Sequence, residues 1–229
     1  MKKFITSALP LAIVFSLFSF TFTGTTFEGK MLYDISVEGA NLPPEAKAMF
    51  AGSEIKVYVK GMKSRTEMTM GFQNTITFTD RAANTSVTLI EVMGSKYMIK
   101  NDNSKDTDKT QVATVKELSE TKTIAGYKCK KAEVTFKDKS GAQQVTNIYY
   151  TEEIANQMGT NKKSYQFKNI KGMPLEYEIL AENGMKMKMT AKSVTKEAVA
   201  DTQFTIPTGY KETTEEEMQK EIMQKMGQH

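Results

Sequence analysis

Short runs in which apolar and polar residues alternate recur along this chain, separated by glycines, asparagines and charged turns. Period two puts successive side chains on opposite faces of an extended segment, so each run reads as a half-buried β-strand. In the first, Phe27, Met31, Tyr33, Ile35 and Val37 share one face, with Lys30, Asp34 and Ser36 on the other. EIKVYVKG repeats the pattern with Ile55, Val57 and Val59 between Lys56, Tyr58 and Lys60. After a turn at Gly61-Met62-Lys63, the runs RTEMTM, NTITFTD, TSVTLIEV and SKYMIK continue it, which reads as a meander. Lys100 to Lys109 has no apolar residue and is expected to be a solvated loop. Beyond it VATVKELSE, CKKAEVTFKD, QVTNIYYT, PLEYEILAE and MKMKMTAKSV resume the alternation, and Asn183-Gly184 between the last two is a strong hairpin signal. The expected fold is a single, mainly antiparallel β domain, strongly curved.

Three segments depart from period two. Asn41 to Gly52, with prolines near its start and a glycine past its end, reads as a short helix. Thr151 to Gly159, TEEIANQMG, fits two helical turns with Ile154 and Met158 on one side. The tail, about 214–227, predicts a helix with a Thr214/Glu217 capping box and a stripe of Met218, Ile222 and Met226. That stripe needs an apolar surface, and the mouth or concave side of the sheet is the natural candidate.

The N-terminal residues place Lys2 and Lys3 before an apolar run from about Leu9 to Phe20, followed by small and hydroxyl residues. That layout predicts a secretory signal peptide over residues 1–24, leaving one domain over 25–229. The run is shorter than the ~20 residues that span a bilayer, so no stable transmembrane anchor is expected. A lipoprotein needs a cysteine at the cleavage point, and the one cysteine is Cys129. The product is therefore expected in the periplasm or outside the cell, without an acyl anchor. One cysteine forms no intramolecular disulfide, so stability must come from burial. The formal net charge is +4, of which Lys2 and Lys3 leave with the leader. The remaining lysines are dispersed among carboxylates and only two arginines occur, so nucleic acid is not an expected partner.

Catalytic arrangements are poorly represented. The one histidine is the terminal His229, which removes the base from Ser-His-Asp and Cys-His schemes. Cys129 has lysines near it in sequence, which could favour a thiolate. Buried thiols are common, however, and Cys129 is expected to point inward as a small apolar residue with a structural role. A carboxylate pair could still assemble in space, since such pairs leave no sequence spacing. The chain is expected not to be an enzyme, and no cofactor is expected.

The methionines raise a separate question. In GMKMKMTAK, Met185, Met187 and Met189 alternate with Lys186 and Lys188; Met68 and Met70 repeat the spacing in RTEMTM, and Met31 lies on the apolar face of the first run. Three readings stand. Thioethers are soft ligands suited to copper(I), although neighbours on one strand face are ~6.6 Å apart and no histidine assists. They could be part of a filled core. Or Met31, Met68, Met70, Met185, Met187 and Met189 could line an apolar cavity whose flexible walls adapt to a lipid or other hydrophobic small molecule.

FEGKMLYDI, ETKTIAGYKCKKAEV, YYTEEI, GMPLEYE and DTQFTIPTGYK together resemble a family of exported proteins of Gram-negative bacteria known only as a domain of unknown function. That family is similar in turn to the lipoprotein-carrier superfamily. The resemblance implies a half-barrel, an antiparallel sheet curved around an apolar cavity with helices as a lid. It carries no catalytic residue. The function expected is non-catalytic binding of a hydrophobic or lipid-like ligand in the cell envelope, the alternatives being a structural or protein-interaction module with a filled core and a methionine copper site.

Overall fold

The structure is a computed structural model, and it describes residues 27–38, 50, 52–71, 73–102, 113–137, 141–158, 166–180 and 186–226. The expected signal peptide, nearly all of the helix expected over 41–52, the Asn183-Gly184 turn and Met185 lie outside the described residues.

The strands are β1 (Glu28–Glu38), β2 (Glu54–Lys60), β3 (Lys63–Met70), β4 (Gln73–Asp80), β5 (Thr85–Val92) and β6 (Ser95–Asp102). They continue as β7 (Thr114–Ile124), β8 (Tyr127–Lys137), β9 (Gln143–Thr151), β10 (Met173–Leu180), β11 (Lys186–Lys196) and β12 (Lys211–Glu212). Among the described residues these twelve form one curved, open sheet in the order β12-β6-β5-β4-β3-β2-β1-β11-β10-β9-β8-β7. Two antiparallel meanders, β2 to β6 and β7 to β11, are joined by β1, which pairs with β2 on one side and β11 on the other. The strand that opens the pattern in sequence is thus central in the sheet.

Register settles which side chains share a face. Tyr33 stands opposite Ala191 on β11 and Ile55 on β2, and the row continues through Met68, Thr75, Ile90 and Tyr97. This inner face carries the larger core. Met31, Tyr33, Val59, Ala132, Val134, Ile148, Tyr150, Met173 and Leu175 in it are almost wholly excluded from solvent. Tyr177 meets both Tyr33 and Phe167 edge-on, with ring centroids 6.1 and 5.0 Å apart. Such aromatic geometry adds to area burial.

The helix expected over 151–159 does not form. Described residues 152–158 are turn and irregular chain that folds onto the inner face. Side chains take the backbone donors and acceptors that a helix would need: Asn156 Oδ1 accepts from the Met158 N–H at 2.8 Å, and Thr151 Oγ1 from the Glu153 N–H at 3.3 Å. The Asn156 Nδ2 donates to the carbonyls of Phe167 and Ile170 at 2.7 and 3.0 Å. Local side-chain bonds of this kind compete with helix formation. Ile154 is buried all the same, and its carbonyl accepts from the Met173 N–H at 2.9 Å.

The chain after β11 wraps the sheet. Residues 199–210 run over the outer face, where Lys60 Nζ donates to the Val199 carbonyl at 3.1 Å and Tyr210 donates to Glu91 at 2.6 Å. β12 then pairs parallel with β6 at the sheet edge. The terminal helix α1 (Glu215–Met226) crosses to the inner face, where Met218 and Ile222 pack with Ile90, Val92, Tyr97 and Ile99. Its capping box is reciprocal: Thr214 Oγ1 accepts from the Glu217 N–H, and Glu217 accepts from the Thr214 N–H, each at 3.2 Å. The stripe therefore covers the edge of the inner face, and not its centre.

Candidate functional site

Of the candidate methionines, Met31, Met68, Met70, Met187 and Met189 share the inner face. Met189 stands opposite Ile35 and Tyr177, Met187 opposite Val37 and Ile179, Met68 opposite Ile55 and Thr75, and Met31 opposite Val57 and Val194. Met70 follows Met68 on the same face, opposite Gln73. Their surroundings differ. Met31 and Met189 are 0 and 3% exposed and belong to the core, whereas Met68, Met70 and Met187 are half-buried. Met68 on β3 and Met189 on β11 sit three strands apart, roughly 14 Å at the usual strand spacing. Among the described residues no cluster of histidine, cysteine, aspartate and glutamate could hold a metal ion.

The inner face thus has two regions. Over β7 to β11 and β1 it is filled, by Tyr33, Tyr177, Phe167 and the chain around Ile154. Toward the end of the sheet where β1 finishes and β11 begins, Ile35, Val37, Met68, Met70, Ile179 and Met187 remain half-buried. These six apolar side chains are less enclosed than the core beside them. A separate recess of about 310 Å³ lies on the outer face, where Arg65, Glu67, Glu91 and Tyr210 stand beside Ile76 and Leu89.

On the outer face the lysines that alternate with the methionines are not merely solvated. Lys186 pairs with Glu178 at 3.4 Å, Lys188 with Glu176 at 3.2 Å, and Lys192 with Asp34 at 3.5 Å. Glu176 is the unusual member. Its side chain is 7% exposed, with Lys122 at 2.7 Å as well as Lys188, and Thr190 donates to it at 3.3 Å. Burial by itself would raise its pKa; the hydrogen bonds and charges of Lys122 and Lys188 outweigh that and hold the carboxyl below the usual range. Sequence patterning gave no hint of this cluster, because β7, β10 and β11 bring its members from three distant segments.

Cys129 is fully buried, and its thiol donates to the Tyr127 carbonyl at 3.6 Å. Burial pushes the thiol up to about 11, away from the reactive thiolate that its lysine neighbours in sequence suggested.

No protein-family model and no curated protein matches the chain. Among solved structures the chain is similar to MucB, with 13% identity and a TM-score of 0.34, over 80% of this chain and 57% of that one. The chain therefore spans less than two thirds of that structure's length, and a likeness of this size carries no argument about function.

Proposed function

We propose that this chain is a non-catalytic binding protein of the cell envelope that holds a hydrophobic, lipid-like ligand against the inner face of its sheet. The contact surface is Ile35, Val37, Met68, Met70, Ile179 and Met187. One observation carries the reading: the sheet stays open, and these apolar side chains of its inner face remain half-buried beside a core of fully buried ones. Thioether side chains are flexible and polarizable, so such a surface adapts to an acyl chain without a rigid fit. Export fits the leader-like residues 1–24 and the exported family that the chain resembles. No helix among the described residues is long and apolar enough to cross a membrane.

The test is titration with an intrinsically fluorescent fatty acid, alongside native mass spectrometry of protein purified from an envelope fraction. Saturable binding at micromolar concentrations, lost in Met187→Lys while the fold is retained, is the expected result. No retained lipid and no saturable probe binding would overturn the reading.

A second reading is favoured by the filled region: a structural or protein-interaction module whose methionines only occupy space. Tyr33, Tyr177, Phe167, Ile154 and Met173 leave little void on their side of the sheet. The same titration separates the two.

A further inference from the structure

Between the large core and α1, the inner face of β3, β4 and β5 changes character. Ser64, Thr79 and Ser86 stand directly opposite one another across the three strands, and Thr66, Thr77 and Thr88 form a second row two residues along. Directly opposed Cβ atoms lie about 5 Å apart, and the rows about 6.6 Å apart. The result is a two-by-three lattice of hydroxyls on a face whose other residues are apolar except for Gln73 and Thr75. The second row begins on Met31 and Val57 and ends on Ile99. The inner-face positions of these three strands carry no charged residue: the remainder are Met68, Met70, Gln73, Thr75, Ile90 and Val92.

Hydroxyls turned inward cost free energy unless they are hydrogen-bonded. Thr77 and Thr88 meet each other at 3.3 Å, and Thr75 accepts from Gln73 at 3.1 Å. The hydroxyls of Ser64, Thr66, Thr79 and Ser86 make no hydrogen bond to another described residue. Ser64 and Ser86 are each only 4% exposed and Thr79 8%, yet none of their hydroxyl oxygens is among the buried side-chain atoms left without a partner, so each still meets solvent and is open to a ligand. Donors and acceptors arranged this way, beside an apolar strip and away from charge, match a molecule with a polar uncharged group on an acyl body.

We propose that the hydroxyl lattice selects the head of the ligand: the protein takes an uncharged amphiphile, with an ester, glycerol or sugar group over Ser64, Thr66, Thr77, Thr79, Ser86 and Thr88 and its chain along Met68, Met70 and Met187. The inference rests on the carrier reading above and narrows it. A free carboxylate or phosphate is disfavoured because the floor of β3 to β5 offers dipoles and no cation, and an ion leaving water is compensated poorly by hydroxyls alone.

The experiment compares a monoacylglycerol with the fatty acid of the same chain, each displacing a fluorescent fatty-acid probe from the full chain; the absence of tryptophan leaves the probe signal clear. The monoacylglycerol is expected to bind about tenfold more tightly, the order that one or two well-made hydrogen bonds provide. The triple variant Thr66→Val, Thr77→Val, Thr88→Val should lose that preference and keep fatty-acid binding. Thr77→Val and Thr77→Ser, measured singly, serve if the triple variant does not fold, the serine retaining the preference and the valine weakening it. Equal affinity, or a preference that survives the valines, would overturn this inference and leave the carrier reading standing. Absence of binding by either amphiphile overturns both.

Discussion

The Tyr33 hydroxyl donates to the carbonyl of Pro174 at 2.8 Å, tying β1 to β10 across the intervening β11. Pro174 lies where the β9–β10 register shifts, so a side chain on the central strand satisfies a carbonyl beside the irregularity. Tyr33→Phe keeps the ring and its edge contact with Tyr177 but strands that buried carbonyl. The expected cost is about 1–3 kcal/mol, read from urea unfolding midpoints at unchanged slope. Tyr33→Ala adds a cavity and should cost roughly 3–5 kcal/mol. A neutral Tyr33→Phe would show the hydrogen bond to be dispensable.

Alkaline stability follows from groups that folding keeps protonated. Burial pushes Cys129 up to about 11 and, with Glu117 nearby, Tyr150 up to about 12; Tyr210, partly buried and donating to Glu91, is likewise pushed up to about 12. A pKa raised in the folded state means that the unfolded chain releases its proton first. The contribution is complete below the unfolded pKa, near 8.5 for a thiol and about 10 for a phenol, and is lost as pH rises through the folded values. Unfolding midpoints should be level up to about pH 8 and fall between about 9 and 12. Alkylation of Cys129 at neutral pH should be slow in the folded protein and fast in denaturant; rapid labelling of the native state would restore a reactive-thiol role.

Glu176 governs the acid side. Its folded pKa is lowered, so its ion pairs with Lys122 and Lys188 stabilise the fold above the unfolded carboxylate value near 4.3, and that contribution is lost as pH falls through the lowered pKa. Glu176→Gln keeps the shape but removes the charge that two lysines share. A loss of roughly 1–3 kcal/mol at pH 7 is expected, fading toward pH 3. The pH dependence of the wild-type minus variant difference is the measurement, and a difference independent of pH would refute the electrostatic account.

What sequence could reveal here was the local part. Period two located the strands, and Thr214 with Glu217 located the start of α1, because both signals sit within a few residues. Long-range partners leave no such mark: nothing in FEGKMLYDI says that Met31 will face Val57 on one side and Val194 on the other. The TEEIANQMG helix failed because Asn156 bonds to carbonyls of Phe167 and Ile170, which are far enough along the chain to be invisible to a helical window. The turns at Met93-Gly94 and Ala125-Gly126 were also obscure. Met93 and Ala125 adopt φ of 50° and 48°, positions that asparagine or glycine usually signals. Period two is also what sets Met187 and Met189 on the same face, whereas the division of the inner-face methionines into sealed and half-buried members depends on what packs above them.

Arg65 holds the outer wrap. Its guanidinium donates to the carbonyl and Oε1 of Gln203 at 3.2 and 2.9 Å, pairs with Glu67 at 2.5 Å, and lies over the rings of Tyr58 and Phe78. A lysine keeps the charge but neither the fork nor the planar stacking. Arg65→Lys is therefore expected to cost about 1–2 kcal/mol and to open residues 199–210 to limited proteolysis before the rest of the sheet is cut. Cleavage at wild-type rates, mapped by mass spectrometry, would show that the wrap is held by Lys60 and Tyr210 without it.

Met187 and Met189 provide the sharpest separation of stability from binding, because they lie two residues apart on the same strand face. Met189 is sealed between Ile35 and Tyr177, so Met189→Lys would bury an unpaired ammonium and should unfold the domain or cost several kcal/mol. Met187 is half-buried near the start of β11, where a long side chain can bring its charge out to water. Met187→Lys should accordingly cost less than about 2 kcal/mol while disrupting the apolar strip, so the fatty-acid probe is lost from a folded protein. Leucine at either position roughly conserves volume and should cost less than about 1.5 kcal/mol with the probe retained. Circular dichroism and urea unfolding report the first quantity, and probe titration the second. Probe binding that survives Met187→Lys in the folded state would place the ligand elsewhere or nowhere, and would leave the filled-core module as the better description of this sheet.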